Sequence, residues 1–109
     1  MYKIGVDLGG TKTEIIVLDE NLNVLERKRV PTPQNNYNEI IHTIETLVSD
    51  VSQNISDFSL GICCPGSISK QTGLIKNSNT QCLIGKSLKK DLEHKLQKTI
   101  SIENDEMNY

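Results

Sequence analysis

Gly9-Gly10-Thr11-Lys12 is the stretch of this chain whose residue types and spacing best suit chemistry. Two glycines are followed by a hydroxyl and then a cation, and Asp7 stands just before them. Glycine permits a turn with φ > 0 and lets a ligand come close to the backbone. Such a turn can aim N–H groups, the Thr11 hydroxyl and the Lys12 ammonium at phosphate oxygens. Asp7 could hold a Mg²⁺ beside that phosphate, directly or through water. The same residues also suit an ordinary turn. The stretch is not the Gly-x-x-x-x-Gly-Lys-Ser/Thr phosphate loop. Nor is it the dinucleotide fingerprint, because a strand and not a helix follows the glycines.

The elements that must position these residues can be read from hydrophobic periodicity. Tyr2, Ile4 and Val6 alternate with Lys3, Gly5 and Asp7, which predicts a strand over 2–8. The run Ile15-Ile16-Val17-Leu18 predicts its hairpin partner over 12–18, and Asp19 to Asn23 is a turn by composition. Residues 24–30 set Val24, Leu25 and Val30 among Glu26, Arg27, Lys28 and Arg29, which suits an exposed third strand with a solvated charged face. Pro31-Thr32-Pro33 is expected to stop the sheet, since proline has no N–H to donate. Tyr37, Ile40, Ile41, Ile44, Leu47, Val48, Val51 and Ile55 recur at three- and four-residue spacing and predict a long helix, with Asn35 or Asn36 as its N-cap. Phe58 to Cys64 is a short apolar strand that Pro65-Gly66 ends. Residues 67–86 lack clear periodicity apart from a brief extended piece at Leu74-Ile75, and loops of that length are usually functional. Leu88, Leu92 and Leu96 mark a second helix, with Ser87 available as its N-cap. Ile100 and Ile102 alternate with polar residues in a last strand that runs into Asn104-Asp105. His42 and His94 lie off the apolar stripes and read as surface residues.

Right-handed crossovers would set the strands near 60 and 101 parallel to the first. Asp7, Pro65-Gly66 and Asn104-Asp105 then share one edge, the edge where open α/β sheets hold their ligands. Two carboxylates and a phosphate-seeking turn at one crevice suit phosphoryl transfer, which needs positioning, charge neutralisation and a base for the attacking hydroxyl. Asp105 fits the base. Asn104 and Asn79 fit hydrogen bonding to sugar hydroxyls, because an amide both donates and accepts. Asn104-Asp105 also suits a helix N-cap after a strand.

Bulk properties bound the reading. The 109 residues suffice for one small domain, and 36% apolar with 24% charged residues is compatible with a modest core. A net charge of −2 without a basic stripe argues against a nucleic-acid platform. No apolar run approaches membrane-spanning length. The chain starts directly in a strand, so no signal peptide is expected. There are three cysteines, with Cys63 and Cys64 adjacent and no Cys-x-x-Cys spacing. That supports neither a disulfide framework nor a zinc site, and leaves reduced thiols in a cytoplasmic protein as the expectation.

Five segments together carry a family resemblance. They are Gly5-Val6-Asp7-Leu8-Gly9-Gly10-Thr11-Lys12, Val30-Pro31-Thr32-Pro33, Gly61-Ile62-Cys63-Cys64-Pro65-Gly66, Gly73-Leu74-Ile75-Lys76-Asn77-Ser78-Asn79 and Ile102-Glu103-Asn104-Asp105. In this order they resemble the N-terminal domain of the ROK (repressor, ORF, kinase) family of sugar kinases, members of the actin-like ATPase superfamily. The resemblance implies an α/β, ribonuclease H-like domain with a mixed five-stranded sheet, three antiparallel strands then two parallel, and helices packed on it. It implies ATP and Mg²⁺ as cofactors, with Asp7, Gly9, Gly10, Thr11 and Lys12 at the ATP phosphates. Asn104 and Asp105 would contact the sugar, with Asp105 the catalytic base, and Pro65, Gly66 and Asn79 would line the sugar pocket. Pro31-Thr32-Pro33 after a basic strand is similar to the N-acetylglucosamine kinase branch.

The sequence also departs from the pattern. Family members usually have glycine where Cys63 stands, and usually continue Ala-Asn after Asn-Asp, where this chain has Glu106-Met107. The family's Glu-x-x-His sugar contacts, cysteine-rich zinc loop, second phosphate motif and adenosine site have no counterpart in residues 1–109. The expectation is therefore a single N-terminal lobe, with a structural zinc belonging only to a C-terminal lobe. The partners expected are sugar and ATP, with no nucleic acid and no membrane, and either a homo-oligomer or association with a partner through the exposed interlobe face. The 109-residue piece alone is expected not to turn over ATP. The alternatives are the sugar-sensing domain of a ROK-type repressor, or another actin-like ATPase.

Overall fold

Burial alternates along the strands, and that alternation fixes which face of the sheet meets the helices. The computed structural model describes residues 1–64, 67–68, 71–72, 74–76, 83 and 85–104. The elements in chain order are Tyr2–Leu8 (β1), Lys12–Leu18 (β2), Val24–Pro31 (β3), Tyr37–Val51 (α1), Phe58–Cys64 (β4), Ser67–Ile68 (β5), Ile75–Lys76 (β6), Leu88–Leu96 (α2) and Ile100–Asn104 (β7). Strand β1 pairs antiparallel with β2, and β2 with β3. On its other side β1 pairs parallel with β4, and β4 with β7. The five-stranded order is β3-β2-β1-β4-β7. This is the expected sheet of three antiparallel strands followed by two parallel ones.

Ile4, Val6 and Leu8 of β1, Ile15 and Val17 of β2, Leu60, Ile62 and Cys64 of β4 and Ile100 of β7 all point to one face. There they form a single cluster with Ile40, Ile41, Ile44, Leu47, Val48 and Val51 of α1 and with Leu88 and Leu92 of α2. Both helices thus cover the same face. The alternate positions, among them Gly5, Asp7, Glu14, Ile16, Gly61, Cys63 and Ser101, line a trough of about 330 Å³ on the sheet.

Several boundaries differ from the sequence reading, each for a local reason. Pro31 belongs to β3, paired with Lys12. It is tolerated because β3 is the edge strand, where one side needs no ladder donor. Helix α1 stops at Val51 and not near Ile55; the Ser52 N–H bonds Val48 O, and the Ile55 N–H bonds Ser52 O. This closing turn keeps Ile55 against the core, so spacing alone extended the helix. The 67–86 stretch, read as loop, contains the short antiparallel ribbon β5–β6, whose strands are too short to show alternation. Asn36 is the α1 N-cap, its side chain accepting the Glu39 N–H at 3.0 Å. Ser87 occupies the N-cap position of α2 but makes no side-chain cap bond. His42 and His94 are exposed, as expected. Among the described residues no helix is long and apolar enough to cross a membrane.

The β2–β3 turn is built around Asp19. Its Oδ1 accepts the N–H groups of Asn21 at 2.8 Å and Asn23 at 2.9 Å. The Asn23 backbone bond, more than any other contact, holds the Asp19 carboxyl below its ordinary range.

Two predictions test this fold. Ile44 is fully buried in α1. Ile44→Ala should lower unfolding free energy by about 2–5 kcal/mol, read by urea denaturation. A depressed carboxylate stabilises above its unfolded pKa and stops doing so as pH falls through its folded one. The amide resonances of Asn21 and Asn23 should therefore move together on acidification, and Asp19→Asn should abolish that joint titration.

Candidate functional site

The β1–β2 turn is closed by a hydrogen bond from the Gly9 N–H to Lys12 O at 2.9 Å. A Cβ on Gly9 would stand 2.7 Å from that same oxygen, so only glycine fits without moving backbone. The expected left-handed φ is found at neither Gly9 nor Gly10. Space, and not a positive φ, is what demands glycine at position 9.

The segment after β3 lies against this turn and takes its carbonyls. Thr32 Oγ1 donates to Gly9 O at 2.9 Å. The Thr32 N–H donates to Thr11 O at 2.9 Å. Gln34 Nε2 donates to Gly10 O at 2.9 Å and to Thr32 O at 2.9 Å. Behind them Thr13 Oγ1 and Thr32 Oγ1 are 2.8 Å apart, with both threonines buried. The carbonyls of Gly9, Gly10 and Thr11 are thus all occupied. Among the described residues the N–H groups of Gly10 and Thr11 have no partner, and the exposed Lys12 ammonium has no ion pair. Unspent donors beside a cation, with the opposing dipoles turned away, form an anion-attracting arrangement.

Asp7 is exposed at the end of β1, on the trough face. Its register partners are Glu14 on β2 and Cys63 on β4. Opposed carboxylates repel, and here Glu14 is drawn toward β3. Arg29 reaches it with Nη2 at 2.7 Å and Nε at 3.0 Å, and Arg27 with Nε at 3.2 Å. Asp7 has no ion pair among the described residues. One open carboxylate beside an anion site suits a hard cation that takes most of its remaining oxygens from water and phosphate. Among the described residues there is no group of three or more His, Cys, Asp or Glu side chains placed to hold a metal by itself.

Parallel pairing carries the ends of β1, β4 and β7 to one edge. Asp7 is level with Cys63, and Cys64 with Asn104. With neighbouring strands about 4.8 Å apart, the end of β7 lies about 10 Å across the sheet from β1. Asn104 is placed there by its backbone. Pro65, Gly66, Asn79 and Asp105 lie outside the described residues. Cys63 lines the trough beside Asp7.

The sequence reading missed Thr13, Thr32 and Gln34 as parts of the site. A signal existed for Thr13. It occupies the core-facing position of the Thr13, Ile15, Val17 series, where a hydroxyl needs a buried partner.

The profile of the ROK family matches residues 3–108. The chain belongs to the ROK family. Two N-acetyl-D-glucosamine kinases, from Pectobacterium atrosepticum and Haemophilus influenzae, are 38% and 36% identical to this ROK chain over 102 residues. The match covers 93% of this chain but 34% of each kinase, so the chain spans about a third of the curated relatives it matches. A ROK family glucokinase from Streptomyces griseus, solved with glucose and AMPPNP, superposes with a TM-score of 0.85 at 27% identity, covering 96% of this chain and 33% of that one. A ROK hexokinase from Thermus thermophilus shares the fold with a TM-score of 0.80 at 23% identity, covering 96% of this chain and 35% of its own. The sheet described above is thus the actin-like ATPase domain of ROK proteins.

Gly9→Ala tests the turn. Overpacking at a backbone oxygen should cost about 1–3 kcal/mol. The Gly9 amide should lose its protection from hydrogen exchange, whereas amides in α1 should keep theirs.

Proposed function

We propose that this chain is the N-terminal lobe of an ATP-dependent sugar kinase, binding ATP phosphates and a hexose or N-acetylhexosamine. N-acetyl-D-glucosamine leads among the substrates, given the relatives at 38% and 36% identity that bear that name. The observation that carries the reading is the meeting of the Gly9–Lys12 turn and the end of β7 on one sheet edge.

In this reading the Gly10 and Thr11 N–H groups, the Thr11 hydroxyl and Lys12 hold the phosphates, with Gly9 giving the close approach. Asp7 would hold Mg²⁺ beside the phosphates, directly or through water, and the ion would neutralise charge on the transferred group. Asn104 orients a sugar hydroxyl, and Asp105 accepts its proton as it attacks. Pro65, Gly66 and Asn79 form the pocket wall. The sugar-side roles of these five residues rest on the family pattern of the sequence. A cytoplasmic location fits such an enzyme. The trough over Gly5 and Gly61 offers an apolar surface through which the chain would associate with a second lobe or another copy.

The test is an NMR titration of the 109-residue chain with Mg·AMPPNP and, separately, with N-acetyl-D-glucosamine and glucose. The nucleotide should shift the amides of residues 9–12, and the sugar those of Cys64 and residues 103–105. Sugar shifts without any nucleotide response would favour the sugar-sensing regulator instead. Shifts confined to the helix faces would remove the proposal. In a chain carrying the remaining two-thirds, Asp105→Asn should lower kcat by about 10²–10⁴ while sugar binding persists. The isolated chain should release no ADP in a sugar-dependent manner.

A further inference from the structure

We infer that Thr32 and Gln34, with Thr13 behind them, are positioning residues for the phosphates of a bound nucleotide, acting through the backbone of the Gly9–Thr11 turn. This deepens the reading of that turn as the phosphate site and rests on it.

The direction of the hydrogen bonds makes the case. A threonine hydroxyl has one proton. Thr32 spends its proton on Gly9 O. The 2.8 Å contact between Thr13 and Thr32 must therefore be donated by Thr13. A chain of donors runs from the floor of the core, through Thr32, to the first carbonyl of the turn. The Thr32 N–H takes the third carbonyl, on Thr11, and the Gln34 amide takes the second, on Gly10. Three consecutive carbonyl oxygens are held on the side of residues 32–34.

A peptide plane turned by its oxygen also has its N–H turned. Holding Gly9 O and Gly10 O fixes the planes that carry the Gly10 and Thr11 N–H groups. Those are the two donors left without partners among the described residues. The clamp thus does two things for an anion. It removes three negative dipole ends from the crevice, and it sets two donors in place before the ligand arrives, so binding pays less ordering cost. Thr13 and Thr32 are buried, at 0% and 4% exposure, where a matched apolar pair would also fill the space.

That last point supplies the test. Removing one hydroxyl strands its buried partner and destabilises, whereas replacing both by groups of similar shape removes the buried pair and leaves without its donor only the half-buried Gly9 O, which solvent can reach. The double variant Thr13→Val/Thr32→Val is compared with wild type and with Thr32→Ser. In the ligand-free chain, the Gly10 and Thr11 amides should fall to the flexible range of order parameter, below about 0.6, in the double variant. They should stay rigid in Thr32→Ser, while the melting temperature of the double variant remains near wild type. Affinity for Mg·tripolyphosphate, read at the same amides, should drop about tenfold or more in the double variant, the worth of one hydrogen bond to a charged group, and recover in Thr32→Ser. Equal rigidity in the wild type and the double variant overturns the inference. Wild-type chain that ignores tripolyphosphate at residues 9–12 overturns the phosphate reading instead, and the ligand-free comparison still judges the clamp. If the double variant does not fold, Gln34→Ala decides. Its side chain is exposed, so the fold survives, and unchanged turn mobility there would sink the proposal.

Discussion

The parallel pairing of β1 with β4 is the constraint on which the rest of the molecule depends. In its register Gly5 faces Gly61 and Asp7 faces Cys63. Because the next strand, β7, also runs parallel, every crossover helix must return on one face to bring the chain back to the same starting edge. Helices α1 and α2 do so, and their apolar stripes meet the inward residues of the strands. The carboxyl ends of three strands then have nowhere to go but a common rim. An antiparallel β4 would have kept the core pattern and lost the site.

At that rim the two sides differ in how they are made. The β1–β2 side is a tight hairpin whose peptide groups are oriented by another segment of the same chain. The β7 side is the tip of a strand at the border of the sheet. The first depends on hydrogen bonds among residues 7–34. The second depends on β7 taking its place beside β4. Charge follows the same division: Arg27 and Arg29 draw Glu14 outward along β3 and leave Asp7 facing the crevice.

Much of this architecture was legible in the residues because its signals are local. Alternation in β1 and the Ile/Leu/Val stripe of α1 report directly on one-sided burial, and the strand direction follows from crossover handedness. What escaped notice depends on contacts between distant segments. The role of Thr32 cannot be read from its neighbours, since its partners are at positions 9, 11 and 13. Pro31 as a strand residue is legible only once β3 is known to be the border. The steric demand for glycine at position 9 also comes from a contact three residues away. The type of residue was right, but the demand comes from Lys12 O and not from a left-handed backbone.

The meander β1–β2–β3 has a kinetic consequence. Its pairings join residues close in sequence, whereas β4 and β7 must each wait for a helix to be made and docked. Local contacts close at small entropic cost and form early. As the chain leaves the ribosome, residues 1–34 are complete before any of α1 has emerged. The hairpin tip and its Thr32 brace can assemble at that stage, whereas β7 is synthesised only after α1, β4 and α2. The glycine turn at the rim is thus an early product of folding, and the tip of β7 across from it a later one.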